Sequence, residues 1–137
     1  MRQMVSGIVA ICVVLAVMAG CRSGGLIYSV KDAPIQTETG KEPSLEDVQK
    51  AIIAAGAGLG WQMGISKPGE IVATHNARSH QAVVTIPFTT KSYSILYKDS
   101  TNLKYDAAKQ TIHDNYTVWV QRLDNAIRSR LTAVGGM

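Results

Sequence analysis

Between Trp61 and Asp99 the chain alternates apolar and polar residues through four consecutive runs, and no other feature restricts its fold as tightly. Trp61, Met63 and Ile65 alternate with Gln62, Gly64 and Ser66. After Pro68-Gly69, Ile71, Ala73 and Ala77 alternate with Val72, Thr74 and Asn76. After Ser79-His80, Ala82, Val84, Ile86 and Phe88 share one side, and after Thr89 to Lys91, Tyr93, Ile95 and Tyr97 do so again. A period of two residues puts each set on one face of a strand. Connections this short make neighbouring strands antiparallel. The expected unit is a four-stranded antiparallel meander with one buried face.

Two helices flank it. Ser44 can cap a helix and Asp47, three residues on, can reach back to it. Leu45, Val48, Ile52, Ala55 and Leu59 then recur at helical spacing, Glu46 and Lys50 pair across one turn, and Gly56, Gly58 and Gly60 end the run. These glycines follow a helix and precede a strand, the reverse of a phosphate loop. A second helix is expected from Ile112 or His113. Its buried stripe is Tyr116, Trp119, Val120, Leu123, Ile127 and Leu131, and its wet side is Gln121, Arg122, Asp124, Asn125, Arg128 and Ser129. Asp114 near its start and Arg128 and Arg130 near its end suit the helix dipole, and Gly135-Gly136 closes it. The fold class is α+β, with both helices mainly on one face of the sheet. A fifth, edge strand at 26–31 is left open by the alternation of Leu26, Tyr28 and Val30.

The amino terminus has a different character. Met1-Arg2 is followed by an uncharged run from Gly7 to Ala19 rich in Val, Ile and Ala, too short against the ~20 residues of a spanning helix. It reads as the apolar core of a signal peptide. The run ends in Met18-Ala19-Gly20-Cys21. This resembles the lipobox of bacterial membrane lipoproteins, with Met18 where leucine is usual. The resemblance implies cleavage between Gly20 and Cys21 and covalent diacylglycerol and acyl chains on Cys21. Arg22, where an aspartate would imply inner-membrane retention, implies the periplasmic leaflet of the outer membrane over the inner membrane. The remainder, with Gly60-Trp61, Pro68-Gly69, Arg78-Ser79-His80, Tyr93-Ser94-Ile95 and Tyr97-Lys98-Asp99-Ser100, is similar to small proteobacterial lipoproteins, a resemblance that carries over no residue beyond Cys21.

Of the two cysteines, Cys12 lies in the segment expected to be removed, so the mature chain has no internal disulfide. The expected organisation is a signal at 1–20, lipidated Cys21 with a flexible tether at 21–42, and an α+β periplasmic domain at 43–134. A formal charge of +4, with basic residues interspersed among acidic ones, gives no run that would track nucleic-acid phosphates.

Three histidines, His75, His80 and His113, invite a metal or hydrolytic reading with Asp99 or Asp114. No ligand set follows from their spacing, and neither a nucleophile elbow nor a pair of glycosidase acids is present. No metal or cofactor is expected beyond the covalent lipid. The outward register suggests a recognition surface instead: Val72, Val83 and Leu96 as an apolar centre, with Thr74, Arg78 and Lys98 around it. The expected role is non-enzymatic binding or scaffolding of another envelope component, a protein first of all. The alternative is a small periplasmic hydrolase or metal-dependent enzyme built on the histidines.

Overall fold

The computed structural model describes residues 24–135; the expected signal peptide at 1–20, the lipobox-like Met18-Ala19-Gly20-Cys21 and Gly136 lie outside the described residues. In chain order the elements are β1 (Gly25–Leu26), β2 (Val30–Pro34), α1 (Leu45–Gly58), β3 (Gln62–Lys67), β4 (Glu70–Ala77), β5 (His80–Pro87), β6 (Ser92–Thr101), β7 (Thr111–Ile112) and α2 (Asp114–Ala133). The fold is α+β. Strands β3 to β6 form the expected meander, and β2 adds antiparallel to β6, giving five strands in the order β2-β6-β5-β4-β3. β1 and β7 make a separate two-stranded ladder.

Local chemistry sets the turns. Pro68-Gly69 links β3 to β4 with Gly69 at φ 79°, the value of the third position of a type II turn, where proline precedes and glycine carries the positive φ. Arg78-Ser79 links β4 to β5, with Arg78 itself at φ 56°. Ser44 caps α1 by accepting the Asp47 N–H at 3.1 Å. His113 caps α2: its Nδ1 accepts the Asn115 N–H at 3.1 Å.

One face of the sheet is buried under both helices. Ile71, Ala73, Ala82, Val84, Ile86 and Ile95 are wholly covered, together with Val48 and Ile52 of α1 and Val120, Leu123 and Ile127 of α2. α1 comes close to β3 because Gly56 is buried against the Met63 side chain, in space that a Cβ would need.

Several expectations are corrected. Ile65, assigned to the inward set, is 55% exposed; α1 crosses β3 at Met63, and Ile65 lies one inward position past that crossing. Leu45 and Leu59, assigned to the buried stripe of α1, are more than a third exposed at the first residue and the C-cap of the helix, and Ala51 and Gly56 take their place inside. Asp124, placed on the wet side of α2, is only 5% exposed. The second helix starts after Ile112, which belongs to β7. From Gly25 onward the stretch expected to be a flexible tether is held against the domain. The open edge strand at 26–31 resolves into β1 and β2 with a break at residues 27–29, and the chain beyond is tied by Ile35 N–H to the Lys91 carbonyl and Glu38 N–H to the Thr132 carbonyl, both at 2.9 Å.

Candidate functional site

The histidines fall into two places. His75 occupies the inward register near the end of β4, between two indoles: its ring centroid is 5.0 Å from that of Trp61 and 4.8 Å from that of Trp119. Trp61 is buried and Trp119 half-buried. The His75 Nδ1 is buried without a hydrogen-bond partner, and desolvation lowers the pKa of the ring below its ordinary value. A neutral imidazole packed between indoles is a core element with one polar edge.

His80 and His113 meet elsewhere. Their rings are nearly parallel with centroids 6.4 Å apart. The His80 Nδ1 lies 2.7 Å from the Asn102 carbonyl oxygen and must donate to it, so in the neutral ring Nε2 is the acceptor. His113 uses Nδ1 as an acceptor for the cap, so its neutral form carries the proton on Nε2. The two side chains therefore present an acceptor and a donor, and no group of three metal-ligating side chains occurs among the described residues. Asp99 accepts the Ser100 N–H at 2.8 Å at the rim of the sheet, and Asp114 is exposed at the start of α2. Clefts of about 520 Å³ under residues 35–43 and about 490 Å³ beside Tyr97 and Tyr105 are lined by none of the three histidines.

The outer sheet face is assembled by register. Gly64, Val72, Thr85 and Leu96 lie opposite one another across β3, β4, β5 and β6, and Gln62, Thr74, Val83 and Asp99 form the next row. Val72, Thr85, Leu96, Thr74 and Val83 are thus mutual neighbours, with no charged side chain among them. All five are half-buried. They lie on the face opposite the helices. Lys98 is the extra residue of a β-bulge between the Val83–Asp99 and Val84–Tyr97 pairs, so Lys98 and Asp99 together edge the patch beside Val83. Arg78 sits exposed at the hairpin tip, past the end of the ladder.

Two further clusters escaped the sequence reading. The Tyr93 hydroxyl donates to Asp124 Oδ1, and Arg128 Nε donates to Asp124 Oδ2 at 3.1 Å, so a carboxylate joins the sheet to α2 inside the core. Burial and then that hydrogen bond push the Tyr93 phenol well above its usual range. The signal was present: Asp124 falls four residues after Val120 and three before Ile127, on the buried stripe, with Arg128 one turn on. Tyr97 stacks on Tyr105 at 4.3 Å and meets Tyr116 edge-on at 5.7 Å. The Tyr116 hydroxyl is buried without a partner, and burial raises its pKa.

Comparison of the chain with protein-family models, with curated proteins and with solved structures finds no match.

Proposed function

We propose that this chain is a lipid-anchored envelope protein with a non-enzymatic binding role, fixed to the outer membrane through Cys21 and docking a protein partner on the outer face of its sheet. The observation that carries the reading is the uncharged patch of Val72, Thr85, Leu96, Thr74 and Val83 on the face without a covering helix. β-Branched methyls ringed by hydroxyls and by one charge of each sign at Lys98 and Asp99 suit a flat protein surface. An anionic lipid headgroup would call for a rim of one sign. Acyl chains on Cys21 supply membrane residence, since each buried methylene contributes about 0.8 kcal/mol, and leave the domain itself free for recognition.

The test is a photocrosslinking residue at Thr85 in intact cells, compared with one at Glu46, an exposed position on α1. The expected result is a discrete protein adduct from Thr85 alone, lost when Leu96→Lys is added to a chain that still folds. Identical adducts from both positions, or an adduct that survives Leu96→Lys, would refute the docking face. Palmitate-analogue labelling of wild type and Cys21→Ser tests the anchor separately.

A further inference from the structure

The two edges of the five-stranded sheet are built differently. At β2 the free edge carries Lys31, Asp32 and Pro34, a register shift between Val30 and Ala33, and Asp32 at φ 48°. Charges, proline and bulges are the means by which proteins keep an edge from pairing. At β3 the only charge is Lys67 at the far end, and Gln62 to Ile65 pair with β4 in regular register, the one register shift falling after them, between Ile65 and Lys67.

Gly64 stands in the middle of that regular stretch. It is absent from the positive-φ residues, and a Cβ built there would meet nothing nearer than the Val72 carbonyl oxygen at 3.7 Å. Neither backbone conformation nor crowding within the described chain calls for a glycine. Glycine inside a strand weakens it and marks places where another backbone approaches. The neighbouring Ile65 leaves 55% of its surface in water at the same edge.

We propose that β3 pairs antiparallel with β3 of a second copy of this chain, about a two-fold axis through Gly64, so that the two sheets continue into one another. In this register Gly64 faces Gly64 of the partner subunit and Met63 faces Ile65 of the partner subunit, the regular stretch ending where the register shifts at Ser66. Exposed Ile65 is thereby covered by a thioether that already lines the inward face. Lys67 lies beyond the regular stretch, so no like charges meet across the seam, as they would at an edge protected by charge. The pairing is isologous and closes as a dimer. On the outer face it sets the two patches on either side of the glycine pair, but it stands on the edge strand alone and does not require those patches to bind anything.

The full chain in its native membranes provides the test. Opposite residues of an antiparallel pair have Cα atoms about 4.5–5.5 Å apart, inside the ~4.4–6.8 Å that a disulfide spans. Gly64→Cys should therefore form a reducible dimer under mild oxidation. Gln62→Cys, on the same face, has its counterpart four residues along the partner strand, roughly 13 Å further at about 3.4 Å per residue, and should not. Wild type reports any contribution of Cys12 and Cys21. Independently, the detergent-solubilised wild type should sediment at twice the monomer mass and Ile65→Asp at the monomer mass, with unchanged circular dichroism. No more dimer from Gly64→Cys than from Gln62→Cys, disulfides from Gly64→Cys to a different protein, or an Ile65→Asp mass equal to that of wild type would each overturn the pairing.

Discussion

The sheet is fastened at one end and left open at the other. At the β2–β6 end, hydrogen bonds to side chains tie every layer: Asp32 N–H to Ser94 Oγ at 2.9 Å joins the edge strand to its neighbour, and Tyr93, Asp124 and Arg128 join that neighbour to α2. At the β3–β4 end the contacts that join the layers are apolar, and the polar ones, from Ser66 and Lys67 to Glu70, stay within the exposed hairpin. Gly56 packs on Met63, and Trp61 closes over His75. Directional bonds allow one arrangement, whereas an apolar contact beside an unguarded ladder leaves the sheet able to extend. The difference teaches that stability and association have been assigned to opposite ends of one sheet.

Asp124→Ala should have the largest effect, because it strands the buried Tyr93 hydroxyl. A loss of about 2–3 kcal/mol is expected from a buried donor deprived of its acceptor, read as a lower urea midpoint. If the loss is no greater than that of an exposed substitution such as Arg122→Ala, the fastened end is not fastened by this network. Ser94→Ala should cost about 1 kcal/mol, the net worth of an ordinary hydrogen bond. Amide exchange should then quicken at Asp32 before it does in β3.

Acid should act on the other end. Desolvation lowers the His75 pKa below its ordinary 6.5, so the unfolded chain takes up a proton at a pH where the folded chain still resists it. The contribution of His75 is therefore fully present above pH 6.5 and is lost as pH falls through the lowered folded value. Trp61 and Trp119 fluorescence should report this loosening in wild type, and His75→Leu should flatten the response between pH 6.5 and that lower value. An equal acid response in His75→Leu would place the sensitivity elsewhere.

The meander was legible in the sequence because its period is two and its turns are local: Pro68-Gly69 declares a reversal without reference to the rest of the chain, and the reversal read at Ser79-His80 lies one residue earlier, at Arg78-Ser79, with His80 opening β5. The addition of β2 to β6 was not, since it spans some sixty residues and the five-residue strand is broken by a proline and a bulge. Asp124 was misplaced because a carboxylate on a helix is ordinarily solvated, and only its i,i+4 partner and a tyrosine distant in sequence make its burial affordable. The outer patch was half legible. Val72, Val83 and Leu96 were read as its centre and Thr85 as facing outward, while the place of Thr85 between Val72 and Leu96 emerged only with the register, and Arg78 moved out to the hairpin tip.

Amide hydrogen exchange of the full chain in detergent, measured at increasing protein concentration, tests most directly whether the ends differ in this way. Protection should rise with concentration at Met63 to Ile65 of β3 and stay constant across β2. Protection that rises at Lys31 to Ala33 instead, or that ignores concentration at both edges, would contradict the assignment of association to the β3 end.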